Sequence, residues 1–540
     1  MRSRIFFETL TTMENPIIFA GENPDDMKYP IGIQTFTKLR EDDSAYVDKT
    51  ALVYKLAREG SCYFLSRPRR FGKSLLLSTL KSYFQGNKEV FEGLAISKLE
   101  KEWKKYPVLH LDLNVKKYEN KESLIALLDR HLEQWETEHG DRHSMGSVED
   151  RFYHCIVNAA QQSPEGKVVI LIDEYDKPLL EAIGKPELQE EYRQILKAFY
   201  SNIKSCDEYI RFAMLTGVTK FSHLSIFSGL NNLNDISLDE TYAALCGFTQ
   251  NEIETTFEEG IDEFAEKLGI DRKEMLERLK RHYDGYHFSS DLSINVYNPF
   301  SLICALSKFR LDDFWFATGT PNFRVEVIKH CDYALDRFVT EQKTAEDLDA
   351  IDTMFSDPIP LFFQSGYLTI KDYDARLEAY QLDFPNKEVE QGFARFMALY
   401  YNGGNRHGSF NIFRFVKAVE DGKVEEFMSL LQAFYADGDY QLVGKLEVYF
   451  QNSLMMLFRL MGFYVQVERH TSRGRMDVTL QTKDYVYILE LKVDQSADVA
   501  LQQIEDKQYA APFKADPRKL FRIGVCFSSE ERGIKDWKTA

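Results

Sequence analysis

The sequence predicts an α/β protein: a parallel sheet flanked by helices, then a helix-rich stretch, then a second and smaller α/β unit. Three observations predict it. Short apolar runs alternate with amphipathic helical patterns from about Tyr46 to Asn232, as in a parallel sheet with crossover helices. One of those runs leads into Gly72-Lys73-Ser74 at the head of a helical pattern. The last hundred residues read as helix, three strands, helix and strand. A length of 540 residues, at roughly 150 residues per domain, allows three or four domains. The expected boundaries are an N-terminal extension at 1–28, the parallel-sheet domain at 29–240, a helical lid or middle region at 241–438 and the last domain at 439–540.

Composition narrows the function classes. Hydrophobic residues at 44%, aromatics at 14% and charged residues at 28% supply real cores and exclude wholesale disorder. No apolar run reaches the ~18 residues of a membrane span, and Glu8 and Glu14 interrupt a signal-peptide core, so no membrane partner is expected. The seven cysteines are scattered and never in CxxC spacing, which points to a reducing cytoplasm and against a zinc site. The net charge of −18 is uneven: residues 440–540 carry 15 Lys+Arg against 13 Asp+Glu, the remainder 52 against 72. Any nucleic-acid groove is therefore expected in the last hundred residues.

Strands are expected at Cys62–Leu65, Val108–Leu113, Val168–Ile172 and Arg211–Thr216. The first runs into Arg67-Pro68-Arg69-Arg70-Phe71-Gly72-Lys73-Ser74 and the helix Leu75–Phe84. Strand, loop, Gly-Lys-Ser and helix is the context of a phosphate-binding loop. Backbone N–H groups and the positive end of the helix dipole attract phosphates; Lys73 reaches the β/γ oxygens and the Ser74 hydroxyl holds Mg²⁺. The first glycine of GxxxxGKS is replaced by Arg67. Arg67, Arg69 and Arg70 are expected to attend the phosphates or the Gly72 loop, and Arg69 through Ser74 form the cofactor-binding run. The run Val168–Ile172 ends in Asp173-Glu174, at the strand end where ligands of open α/β sheets lie. Asp173 is expected on the Mg²⁺ through water and Glu174 as general base. Thr216, ending the next strand, either senses the γ-phosphate or simply closes the strand.

Tyr46-Val47-Asp48-Lys49-Thr50, RPRRFGKS, LIDEYDKP (Leu171–Pro178), the stretch Leu215–Ser237 and Cys246-Gly247-Phe248-Thr249 resemble the AAA-ATPase-like family of bacteria and some archaea, from about Tyr29 onward. The resemblance implies an AAA+/STAND-like P-loop NTPase fold, ATP as ligand, an arginine at the Arg67 position and a C-terminal nuclease-like domain. It does not by itself imply hydrolysis.

In the last domain, a helix Val443–Met461 ended by Gly462 precedes strands Phe463–Arg469, Arg475–Thr482 and Tyr485–Val493, a helix Ala497–Tyr509 capped by Ser496, and a strand Leu520–Phe527. The order is αβββαβ. Asp477 is on the second strand and Glu490-Leu491-Lys492 on the third; alternation puts Glu490 and Lys492 on one face, about 7 Å apart. If the strands pair through Lys483-Asp484, Asp477 and Glu490 converge on one Mg²⁺ or Mn²⁺. Lys492 then orients the nucleophilic water. Glu447 and Gln503 are accessory candidates. An E-x-K alone is commonplace; with Glu447, Gly474–Asp477, Tyr487–Lys492 and Gln503–Tyr509 the segment resembles the PD-(D/E)XK nuclease superfamily, a restriction-endonuclease-like α/β fold. That resemblance implies phosphodiester cleavage, DNA being the expected partner, although the superfamily also has members that bind without cutting.

The middle contains YDGYHF (Tyr283–Phe288), YNPFS (Tyr297–Ser301) and WFATGTP (Trp315–Pro321). Tyr283, Tyr286 and Phe288 are expected in a core in preference to stacking bases, and His287 and His330 have no metal-spaced partner. Three readings stay open: an ATPase controlling a metal-dependent nuclease, an ATP-dependent switch whose last domain binds without cleaving, and a motor acting on protein. Homo-oligomerisation stays open with them.

Overall fold

Along the first strand, Cys62 and Phe64 pack into one hydrophobic cluster and Tyr63 and Leu65 into another, so both faces of the sheet are covered, as a parallel sheet requires. A computed structural model describes residues 27–115, 117–140, 146–221, 233–318, 327, 337–349, 351, 354, 356–401, 411–436, 446–462, 466–472, 475–531 and 533–540. The strands of the first sheet are β1 (Cys62–Ser66), β2 (Val108–Asp112), β3 (Val168–Asp173), β4 (Ile210–Gly217) and β5 (Asn234–Asp235). They run parallel in the order β2-β3-β4-β1-β5. The four expected strands are present within a residue or two; β5, two residues long, has too little pattern to show in the sequence.

The helix α1 (Lys73–Phe84) leaves the end of β1 and packs across β3, which carries its N-terminus over the carboxyl ends of β3 and β4. The short α2 (Lys177–Glu181) follows β3. Helices Gln250–Thr256, Glu258–Leu268, Arg272–Tyr283 and α3 (Pro299–Lys308) form a separate small core. The first opens with a capping box: Thr249 accepts from the N–H of Glu252, whose carboxylate accepts from Thr249 N–H.

The middle region is not helical throughout. After α4 (Phe314–Ala317), strands β6 (Gln342–Thr344), β7 (Thr369–Asp374) and β8 (Ala379–Asp383) form an antiparallel sheet in the order β6-β8-β7. The pattern hides it because β7 is largely charged and β6 has three residues. The helix α5 (Lys387–Tyr401) then packs on α6 (Leu446–Met461), the first helix of the last unit.

That unit has strands β9 (Gln466–Ser472), β10 (Arg475–Gln481), β11 (Tyr485–Val493), β12 (Lys519–Ser528) and β13 (Gly533–Thr539), ordered β13-β12-β11-β10-β9. The first three form an antiparallel meander, and α7 (Ala497–Asp506) crosses over to bring β12 parallel to β11. Ser496 caps α7 as expected. The order is αβββαβ with one further edge strand, β13, whose alternation is masked by Lys535, Asp536 and Lys538. The loop pattern Asn402-Gly403-Gly404-Asn405, the expected boundary between 438 and 439, His330 and nearly all of the 1–28 extension lie outside the described residues.

Candidate nucleotide and metal sites

The phosphate loop makes its left-handed turns at Arg70 (φ 69°) and Gly72 (φ 94°), and Arg67 is not among the positive-φ residues. A glycine at position 67 is therefore not needed for the turn. Arg67 does not reach out to phosphates. Its fully buried guanidinium lies 4.2 Å from the Phe288 ring centroid and donates to the carbonyls of Ser66 (2.9 Å), Ser237 (2.7 Å) and Tyr242 (3.3 Å). It rivets the loop to the chain beyond β5.

The YDGYHF stretch completes this underside. Phe71 packs edge-on against Tyr286 and Phe288 at 4.8 and 5.5 Å between centroids. Tyr283, Tyr286 and Phe288 are all buried. From the other flank Trp315 donates its indole N–H to the carbonyl of Arg69 at 3.0 Å, and Arg70 lies over Phe300 at 4.8 Å.

A cavity of about 400 Å³ opens above the loop, within the range of small-molecule sites. Arg69, Arg70, Phe71, Gly72, Lys73 and Ser74 line it, as does Glu174 from the end of β3. Lys73 Nζ donates to the carbonyls of Arg67 (2.9 Å) and Pro68 (3.1 Å). Glu174 sits at φ 51°, a strained conformation for a non-glycine residue. Asp173 is 5% exposed and lies behind the cavity wall, accepting from the Thr216 hydroxyl (2.8 Å) and the Glu174 N–H (3.0 Å). Thr216 is fully buried, turned onto Asp173, and does not line the cavity.

Lys49, Asn114 and Lys177 carry no sequence signal as site residues, yet all three line this cavity. Lys49, in the VDKT motif, bridges both carboxylate oxygens of Glu252 at 2.6 Å; burial lowers its pKa. Its neighbour Asp48 caps Thr50 and the N–H of Ala95. In DEYDKP, buried Asp176 accepts from the N–H groups of Val218 and Thr219, so it locks β3 to β4. The motifs are legible as motifs; which of their residues face the cavity requires the fold. Apolar side chains line it as well, among them Ile31, Val47, Leu75, Phe248, Phe300 and Ile303.

In the last unit, β10 and β11 pair with Asp477 directly opposite Glu490, so both residues are on one face of the sheet. Glu490 is fully buried and Lys492 is 4% exposed; the two form an ion pair. Asp477 and Glu447 are described by backbone only, on β10 and α6; Gln503 is half-buried on α7. Carboxylate oxygens are the hard donors that suit Mg²⁺ or Mn²⁺; the Lys492 ammonium supplies no ligand atom and sits beside Glu490 as its ion-pair partner. Among the described residues no group of three or more His, Cys, Asp or Glu side chains clusters as a metal site.

A five-stranded parallel sheet with a Gly-Lys-Ser loop after β1 and an acidic pair after β3 defines a P-loop ATPase fold. Family models match at residues 30–227, described as "Predicted AAA-ATPase", and at 445–537, the PD-(D/E)XK nuclease superfamily. A protein of Azotobacter chroococcum mcd 1, described as "Uncharacterized protein in vnfD 5'region", is 35% identical over 518 residues, covering 94% of this chain and 98% of the relative. The chain belongs to this AAA-ATPase-like family with a C-terminal PD-(D/E)XK domain. Solved structures matched include AMPPCP-bound DnaA from Aquifex aeolicus (13% identity, 75% of this chain and 91% of that one, TM-score 0.24). A DNA replication initiation factor also matches (13%, 77% and 89%, TM-score 0.21). No helix among the described residues is long and apolar enough to cross a membrane.

Proposed function

We propose that this protein binds and hydrolyses ATP at the Gly72–Ser74 loop and that its nucleotide state controls a Mg²⁺- or Mn²⁺-dependent nuclease at its C-terminus, with DNA as substrate. One observation carries the ATP half. Among the described residues, the cavity over the N-terminus of α1 is lined by five cations (Lys49, Arg69, Arg70, Lys73 and Lys177), one carboxylate, Glu174, and a set of apolar and aromatic side chains. A triphosphate on a flat aromatic base matches that polarity. Backbone N–H groups at the start of α1 receive the phosphates, and Lys73 leaves the carbonyls of Arg67 and Pro68 to meet them. Glu174 accepts the proton of the attacking water, while Ser74 and Asp173, the latter held by Thr216, would hold Mg²⁺.

Asp477 and Glu490 would hold the nuclease cation, which supplies Lewis-acid activation of water and charge neutralisation on the phosphodiester. Lys492, paired with Glu490, holds and orients that water. The buried, unbridged cysteines among the described residues suit a reducing cytoplasm.

The test is a cleavage assay on single- and double-stranded DNA and RNA with metal and ATP titrated together. Metal-dependent cleavage that disappears in Glu490→Ala and Lys492→Ala supports the proposal. Intact substrate under every condition assigns the last domain to binding without cutting. ATP affinity unchanged in Lys73→Ala refutes the loop assignment, and normal turnover in Glu174→Gln removes Glu174 as the base.

A further inference from the structure

Among the described residues, Lys177 is the one cation of the cavity that comes from the β3 side. It is three residues beyond Glu174, at the start of α2, with its side chain 16% exposed. Its ammonium donates to Asn114 Oδ1 at 3.0 Å and lies 3.4 Å from Glu181. Asn114 follows β2, at the carboxyl edge of the same sheet, and lines the cavity too.

The direction of a bound nucleotide follows from which segments line the cavity. Its apolar lining comes from segments before β1, from α1 and from residues that follow β5, and none of it from the ends of β2 or β3. Glu174, Lys177 and Asn114 come from the ends of β3 and β2. A base against the apolar residues and β-phosphate oxygens at Gly72–Ser74 leave the β3 and β2 ends to the terminal phosphate. The other four cations sit on the loop, on α1 or before β1: Lys49 is neutralised by Glu252, and Arg70 lies over Phe300.

Resting on the ATP reading above, we propose that Lys177 contacts the γ-phosphate and is the residue by which this site distinguishes ATP from ADP. Asn114 and Glu181 hold the ammonium at the cavity wall, and a terminal phosphate outcompetes them: it carries more charge than a neutral amide, and Glu181 is a partly exposed partner of modest worth. A γ-phosphate contact made within one chain also asks for no cation from a neighbouring subunit.

The experiment measures equilibrium binding of ADP and of a non-hydrolysable ATP analogue, with Mg²⁺, to the full chain and to Lys177→Ala, Lys177→Arg and Lys73→Ala. Removing a charge-assisted hydrogen bond to the γ-phosphate, as Lys177→Ala does, weakens the analogue by about tenfold or more and leaves ADP unchanged, while Lys177→Arg keeps the discrimination. ADP binding also reports that the variant is folded. Equal weakening of both nucleotides would mean that Lys177 only props up α2, and no change in either would mean that it does not touch the ligand; both overturn the proposal. Failure of the ATP reading looks different: the unmodified chain then binds neither nucleotide, or Lys73→Ala binds both as well as the unmodified chain does.

Discussion

The indole N–H of Trp315 donates to the main-chain carbonyl of Arg69 at 3.0 Å, so a side chain 246 residues further along the sequence holds the phosphate loop from outside. The same residue's backbone N–H donates to Glu388 on α5 at 2.6 Å, and α5 packs on α6 of the last unit. Loop geometry and the packing of the nuclease-like unit thus share a residue. Trp315→Phe keeps the ring and deletes one neutral hydrogen bond worth ~0.5–1.5 kcal/mol. ATP affinity measured by calorimetry should fall by about two- to tenfold. An unaltered dissociation constant would mean that the bond does not shape the loop.

Glu388 is where α3, α4 and α5 meet. Its Oε1 accepts from the Ser301 hydroxyl (3.0 Å) and the Trp315 N–H, and its buried Oε2 has no partner among the described residues. Burial pushes its pKa up to about 8. An acid with a raised folded-state pKa binds its proton more tightly in the native chain, so its contribution favours folding at low pH and declines as pH rises. The decline runs from the unfolded value near 4.5 up to about 8, at about 1.4 kcal/mol per pH unit as an upper bound. Glu388→Gln cannot ionise. Its melting temperature should match the parent near pH 5 and exceed it above pH 8; parallel profiles would show that Glu388 does not titrate there.

Arg67 illustrates a different balance. Three carbonyls accept from a guanidinium that is 1% exposed and lies on the Phe288 face, while its buried Nε has no partner among the described residues, and removing it takes that side-chain donor from all three carbonyls. Arg67→Gly restores the usual phosphate-loop residue in sequence but should lower stability by about 3–5 kcal/mol, read by urea unfolding. A drop below ~1 kcal/mol, the worth of a single ordinary hydrogen bond, would make Arg67 incidental.

How far the sequence can be read depends on how local the cause is. Lys73, Ser74, Asp173 and Glu174 are legible because a buried strand followed by Gly-Lys-Ser or by Asp-Glu is a local pattern with a local reason. The pairing of Asp477 with Glu490 is legible because a short turn fixes the register of β10 on β11. Lys49, Asn114 and Lys177 are not legible, because each enters the cavity only once β2, β3 and the N-terminal segment are placed around α1. Tyr286 and Phe288 are alike in this. Their pattern says aromatic core, but nothing in it says that the core is the underside of the phosphate loop. Thr216 shows the converse: its strand-end position suggests a γ-phosphate sensor, whereas its hydroxyl is committed to Asp173.

The Glu490–Lys492 pair allows fold and chemistry to be separated. Both side chains are buried, so Lys492→Ala takes the paired cation away from an interior carboxylate at a cost of about 3–5 kcal/mol, and the melting temperature should drop sharply in a metal-chelating buffer. Replacing both, as Glu490→Gln with Lys492→Met, removes the buried charge as well and should recover much of that stability while still lacking cleavage. A cation that binds only the native chain stabilises it by mass action, about 2.7 kcal/mol at a hundred times its dissociation constant. Added Mg²⁺ should therefore raise the melting temperature of Lys492→Ala more than that of the double variant, because only the former keeps Glu490 as a ligand. Identical Mg²⁺ shifts in the two would take Glu490 out of the metal site, and with it the cleavage chemistry proposed for β10 and β11.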